Sequence, residues 1–455
     1  MTTAVSAIAV PAFAYSWWLG CYLLGRDPAS SLLWRAAAAL LAYGIAVVAW
    51  VLSPASGLAQ LLLCLPALCW AGVAVGLLPR TAPEYRQANR GWLIVSGVFL
   101  AVAAVLPGVG KLVALAPLAG AMVLLMRYRQ GVRPGALSSA LAAVAALYAL
   151  GLVVVLAPID LGAPILVLAA LGLDLLLMGF LVAVADAVEA GERLQTDLSR
   201  SLIFATAAVA LCGGPAALTM LAAPGLPAVT VLQFVVVGVV LSAVGLAGPL
   251  RAGLDRLAFL QDERLRLDRA GLMAAADALP RRRVRHRTIA LDAEEFQRLT
   301  RRALEDFGDV GRLLRSPLID LPAVDRRLAG RGPGLADQPL LRAAELRAVL
   351  SEHVLRLKPA GVFGTTEEWR FFNSLYYCSV LGLRPYQRRP QPDGLDRDAK
   401  RALDWFRRYV PRRSLYRWQT EAAAMVAAHL WRDLVGTDPR WLAGAGGVTR
   451  REPVR

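Results

Sequence analysis

The sequence is poor in side chains that do covalent or metal chemistry. Three histidines occur in 455 residues. His286 sits in a run of arginines, and His353 and His429 fall within helical patterns as surface or packing residues. The five cysteines, Cys21, Cys64, Cys69, Cys212 and Cys378, form no CxxC and stand at no ligand spacing from a histidine. Neither a disulfide framework nor a zinc site is expected. Also missing are a glycine-rich ATP-binding set, a paired-carboxylate constellation, a Gly-x-Ser-x-Gly elbow and a His-Glu-x-x-His helix. The expectation is a protein that is not an enzyme and carries no cofactor and no metal. Lysine is scarce too, with Lys111, Lys358 and Lys400 the only three among 50 basic residues. Such an arginine, alanine, leucine and glycine bias can come from coding composition as well as from a functional basic surface, and both readings stand.

Charge is what the first 250 positions lack. They hold 11 basic and 8 acidic residues, against 39 and 26 in the remainder, which therefore carries thirteen of the formal net charge of +16. With 57% hydrophobic residues and a mean hydropathy of +0.50, the chain reads as two halves in two solvents, joined near Val229–Leu250. Nine apolar segments are expected to span a bilayer, each near the roughly 20 residues a helix needs. They are Val5–Leu24, Leu32–Leu52, Leu58–Leu78, Trp92–Leu106, Leu112–Met126, Ala136–Leu156, Pro164–Ala185, Ser201–Ala223 and Val229–Pro249. If the fourth and fifth formed a re-entrant hairpin about Pro107, seven spans would remain. The N-terminus has neither the basic n-region nor the cleavage site of a removable leader, so the first segment is expected to stay as a span.

Orientation follows from the arginines, which are retained on the cytoplasmic side. Arg26 and Arg35 flank the first connection, Arg80, Arg86 and Arg90 the third, Arg127, Arg129 and Arg133 the fifth, Arg193 and Arg200 the seventh, and Arg251 and Arg256 follow the last span. The even-numbered loops hold only Lys111. The N-terminus is thus expected outside and the C-terminal half in the cytoplasm. Trp17, Trp18 and Trp92 read as interfacial anchors, and Gly213-Gly214-Pro215 as a break in the eighth span. Asp174, inside the seventh span, reads either as a ligand contact or switch or as a bundle-interior group bonded to a neighbouring helix.

Beyond Pro249 apolar residues return at helical spacing among dense charge. Arg251 to about Leu279 reads as a helix that either continues the ninth span or lies on the headgroups. Arg281, Arg282, Arg283, Arg285 and Arg287 follow, placed to meet anionic lipid headgroups or to serve as a solvated linker. Glu294–Leu314, Ala323–Leu328, Leu340–Leu357 and a helix capped by Thr366 come next, then Leu395–Tyr409, a break at Val410-Pro411, and a helix from Arg412 to Leu430. That last pair has the layout of a helix-turn-helix, with Arg412, Arg413, Ser414, Tyr416, Arg417 and Gln419 on the leading turns where phosphates and base edges are reached.

WWLGCYLLGRDPASSLLWRA, Trp17 to Ala36, resembles the first span and loop of the multi-span sensory regions that precede bacterial histidine kinases. FQRLTRRALEDFGDVGRLLRSPL, AAELRAVLSEHVLRLKP, EEWRFFNSLYYCSVLGL and VPRRSLYRWQTEAAAMVA resemble bacterial regulators that end in a helix-turn-helix of the sigma-factor region-4 kind, with Ser414, Tyr416 and Arg417 at similar positions. The chain departs from that pattern in the prolines between Tyr377 and Trp405 and in Val410-Pro411 where a small-residue turn is usual. The resemblance implies a regulator in the bacterial inner membrane that binds DNA; the departures keep a protein-binding scaffold open beside it, with a transporter third.

The expected fold is therefore all-α. Residues 1–250 form a polytopic membrane bundle of about nine spans, residues 251–290 a juxtamembrane helix and basic linker, residues 291–435 a cytosolic all-helical domain with a helix-turn-helix-like segment at 395–430, and residues 436–455 a flexible tail. The expected partners are the lipid bilayer, DNA, a second copy in a homodimer, and a protein of unknown kind.

Overall fold

A computed structural model describes residues 3–28, 30–54, 56–78, 84–129, 132, 135–157, 164–190, 194–222, 226–259, 269, 272–273, 276, 293–331, 338–386 and 394–437. Among them every regular element is helical. The chain divides into two compact units, residues 1–189 with 194–261, and residues 190–193 with 262–455.

In the first unit, α1 (Thr3–Arg26), α2 (Ser31–Leu52), α3 (Gly57–Gly76), α4 (Tyr85–Val105), α5 (Ala116–Arg127), α6 (Leu137–Leu156), α7 (Pro164–Ala190), α8 (Leu194–Ala208), α9 (Gly214–Ala222), α10 (Pro227–Gly245) and α11 (Ala247–Ala258) follow one another. Ser30 and Ser56 cap α2 and α3, accepting from the Leu33 and Ala59 backbone N–H groups at 3.4 and 3.1 Å. Eight stretches among the described residues are long and apolar enough to cross a membrane, namely Ser31–Leu52, Gly57–Gly76, Gln87–Val105, Gly108–Arg127, Leu137–Leu156, Ile165–Val188, Asp197–Leu221 and Pro227–Gly245. The chain is a multi-pass membrane protein. These eight match the second to ninth expected spans, and α1 stands where the first was placed. The fifth is lengthened by a 3-10 segment, Gly108–Leu115, that runs into α5. The eighth is α8 and α9 joined through one π turn, Val209–Gly213, where the Gly214 N–H reaches back to the Val209 carbonyl. Pro215 explains the turn: it has no N–H to give and its ring crowds the preceding turn, so the helix widens by one residue instead of ending.

Polar side chains tie this bundle together from within. The Tyr43 hydroxyl donates to the Leu168 carbonyl at 2.5 Å and Tyr148 to Leu63 at 2.9 Å, linking α2 to α7 and α6 to α3. Trp17 Nε1 donates to Ser242 Oγ at 2.9 Å and Trp18 Nε1 to Ser201 Oγ at 3.0 Å. These two tryptophans are donors inside the bundle; with no water in hydrocarbon, an indole N–H there needs a protein acceptor. Trp92 likewise lies over Gly72, under the Arg35 guanidinium at 4.7 Å.

Several arginines that set the expected orientation are structural as well. Arg26 is buried, its guanidinium 3.3 Å from Asp186 and 3.6 Å from Asp197, while Tyr22 donates to Asp197 at 2.8 Å. Arg35 donates to the Gly72 carbonyl at 2.7 Å and to Asn89 Oδ1 at 2.9 Å. These contacts join the end of α1 to the end of α7 and start of α8, and the start of α2 to the end of α3 and start of α4. Lys111, the single basic residue of the even-numbered loops, is buried and donates to the carbonyls of Ala103 and Leu106, closing the C-terminus of α4.

The ninth span does not continue as one rod into the charged half. Gly245 ends α10, Leu246 sits at φ −100°, ψ 20°, and α11 starts at Ala247. Most residues of the expected 251–279 helix beyond Phe259 lie outside the described residues, as do Arg281, Arg282, Arg283, Arg285 and Arg287.

The second unit holds α12 (Ala293–Glu305), α13 (Val310–Arg315), α14 (Pro322–Ala329), α15 (Pro339–Leu355), α16 (Arg370–Leu375), α17 (Arg397–Tyr409) and α18 (Arg412–Thr437). The single helix expected over 294–314 is two, because Asp309 caps a new start by accepting from the Arg312 N–H at 3.0 Å. One core gathers Phe296, Leu304, Leu314, Leu346, Leu350, Val426 and Leu430. A second, aromatic core gathers Trp369, Phe372, Tyr377, Phe406, Val410 and Leu415. Helix α18 runs seven residues past the expected Leu430 and enters both cores, its first turns in the aromatic one and the rest in the larger one.

Candidate nucleic-acid interface

The helix pair expected at 395–430 is present as α17 and α18. Asp396 caps α17 by accepting from the Ala399 N–H at 2.7 Å, and an apolar face of Ala399, Ala402, Leu403 and Phe406 turns inward. Val410 then adopts extended backbone, φ −111°, ψ 114°, and is buried. Pro411 follows and its carbonyl accepts from the Leu415 N–H at 3.1 Å, starting α18 at once. The break is thus two residues, shorter than the three or four of the usual motif. Tyr386 holds it, donating to the Val410 carbonyl at 2.5 Å, and Trp405 stacks on Trp418 with centroids 6.0 Å apart and planes 12° apart. The start of α18 is therefore set on a rigid aromatic base.

Of the residues singled out in the sequence, Arg412, Arg413, Tyr416 and Arg417 are exposed on these first turns. Arg412 Nη2 donates to the Tyr416 hydroxyl at 3.2 Å and its guanidinium lies 5.5 Å from that ring. Arg417 is 3.8 Å from Glu421 one turn on. Arg413 has no hydrogen bond or ion pair among the described residues. Ser414 is half-buried. Gln419 is placed differently from the sequence reading: its amide donates to the Ser374 carbonyl at 3.3 Å, because the helical register turns it toward α16, and it is not on the reading face. The sequence reading missed Arg408 and Tyr409, exposed on the last turn of α17 within four residues of Arg412. Only Arg408 carried a signal, since it lies opposite the inward register of Ala402, Leu403 and Phe406; Tyr409, seven residues after Ala402, shares that register in sequence, and its exposure at the end of the helix is visible only in the structure. Together, exposed arginines, two exposed tyrosines and the positive end of a helix make a surface suited to phosphate oxygens.

Asp174 is half-buried on α7, beside the exposed Leu173, and makes no hydrogen bond or ion pair among the described residues. No group of three His, Cys, Asp or Glu able to hold a metal occurs among the described residues.

At its other end α18 is held by charge. Asp433 accepts from Arg356 Nη1 at 2.9 Å and faces His353 Nε2 at 3.1 Å. Burial pushes the Asp433 carboxyl up, but the hydrogen bonds from Arg356 and His353 outweigh it and hold the group below the usual carboxylate range. A depressed carboxylate adds stability at pH above its unfolded value and loses it as pH falls through the folded value. Backbone hydrogen exchange over 428–437 of the full chain is expected to accelerate as pH is lowered below the ordinary aspartate range, after correction for intrinsic rates. Asp433→Asn should exchange faster at neutral pH and lose most of that acid response; an unchanged response would place the tie elsewhere. Beside this tie a groove of about 650 Å³ opens, with Arg326, Arg327, Glu352 and Arg356 above apolar Leu321, Val349, Leu430 and Leu434.

No family model, no curated protein and no solved structure matches the chain.

Proposed function

We propose that the chain is a one-component regulator of the bacterial inner membrane, non-catalytic, with its N-terminus outside and its second unit in the cytoplasm, where the start of α18 binds DNA. The observation that supports the reading is the exposure of Arg412, Arg413, Tyr416 and Arg417 on the leading turns of a helix fixed from behind by Trp405, Trp418 and Val410. The orientation is supported by Arg26, Arg35, Arg127 and the other loop arginines alternating with loops that carry only the inward-turned Lys111. The full chain in nanodiscs should bind mixed-sequence duplex DNA with a steep salt dependence. Arg412→Ala, Arg413→Ala and Arg417→Ala together should weaken it at least about tenfold and lower the slope of log affinity against log salt by about 3, one for each phosphate no longer neutralised. Binding by the triple variant with an unchanged slope would remove α18 as the reader.

A second reading, a scaffold for a protein partner, is favoured by the groove at the far end of α18, whose apolar floor and arginine rim have the composition of a peptide-binding surface. It predicts recovery of a partner by the full chain, abolished by Val349→Asp, with no DNA binding.

A further inference from the structure

Helix α11 carries an apolar strip that the bundle leaves uncovered. Its separation from α10 is written in the sequence: Pro249 has no N–H for the Gly245 carbonyl four residues back, and its ring crowds that position. The chain therefore breaks at Leu246 and begins a new helix of twelve residues, none of them buried. Leu250, Leu254 and Leu257 recur at the spacing of one helix face and are 50%, 57% and 70% exposed. Arg251 and Arg256 flank the strip, exposed and without an ion pair among the described residues.

What covers the strip follows from where it begins. Helix α10 has 19 residues, about 28 Å at the usual rise and so close to the roughly 30 Å thickness of the hydrocarbon core. The next helix starts two residues later, at the boundary between acyl chains and headgroups. Twelve residues are too few to cross again, and three leucines over two turns are too few for a coiled coil with a second copy. We propose that α11 lies in that boundary as an interfacial amphipathic helix, its leucines among acyl chains and Arg251 and Arg256 on the phosphates of anionic lipid. This holds whether or not α18 reads DNA.

The test uses the full chain in vesicles of equal parts phosphatidylcholine and phosphatidylglycerol. The photo-reactive p-benzoylphenylalanine is placed at Leu254 or, about 160° round the helix, at Ala252. Photolysis is expected to give phospholipid adducts at Leu254 and several-fold fewer at Ala252. Equal lipid yields at the two positions, or crosslinks from Leu254 to a second copy of the chain, would overturn the proposal. In a second arm, Arg251→Gln with Arg256→Gln should abolish any excess of phosphatidylglycerol over phosphatidylcholine in the Leu254 adducts. An excess that survives would refute the pairing of these arginines with anionic headgroups.

Discussion

Arg342→Ala is expected to destabilise the second unit by about 3–5 kcal/mol, read as a lower melting temperature of that unit in the full chain. The Arg342 side chain is 3% exposed and donates to the Ile319 carbonyl at 3.2 Å and to Asp325 at 2.8 Å, with Asp320 at 3.2 Å. Asp320 is itself buried. Taking the guanidinium away removes the Arg342 charge from beside a carboxylate in a low-dielectric site, and the penalty is the cost of the buried anion, not the worth of the pair. Arg342→Met, which keeps most of the volume, should do little better. Replacing the exposed Arg417, 3.8 Å from Glu421, should change stability by less than about 0.5 kcal/mol, since solvent screens that pair. Equal effects at Arg342 and Arg417 would refute the argument.

Gly245→Ala is expected to destabilise the bundle, against the usual preference of a helix for alanine. A Cβ there would lie 2.5 Å from Cys21 Cβ and 2.9 Å from the Tyr22 backbone nitrogen, and one at Gly25 would meet the Gly245 carbonyl. Neither backbone can step aside without parting α1 from α10 and stretching the bond from Trp17 to Ser242. Overpacking of this kind costs about 1–3 kcal/mol, more than the 0.5–1 kcal/mol or so that alanine gains over glycine in a helix. Gly248→Ala supplies the control: apart from the neighbouring backbone of its own helix nothing lies within 4 Å of a Cβ there, so the propensity gain stands alone and the variant should be slightly more stable. Thermal unfolding of the full chain in detergent measures both, and a stabilised Gly245→Ala would show that α1 and α10 do not approach so closely.

The helical elements were legible in the sequence because hydrophobic periodicity and proline placement are local. Eight of the expected spans carry helices of spanning length, and the break at Val410-Pro411 falls where proline puts it. Side-chain roles were less legible. Arg26, Arg35 and Lys111 looked like loop charge, yet each turns inward to a partner distant in sequence or to a helix end. Trp17 and Trp18 read as interfacial anchors, and only the fold shows that Ser242 and Ser201 accept from their indole N–H groups. In the candidate interface, composition pointed to six residues, and helical register left four of them exposed.

Sequence alone therefore determined the division into an apolar bundle and a charged helical half, the positions of the helices of spanning character, and the break at Val410-Pro411, since these depend on solvent preference and backbone chemistry that a residue carries anywhere. Only the tertiary structure decided which ionisable and aromatic groups face inward, that Gln419 belongs to packing and Arg413 to the surface, and that α11 is left uncovered. Those outcomes depend on which distant helix supplies an acceptor or occupies the neighbouring volume, and no local pattern encodes that.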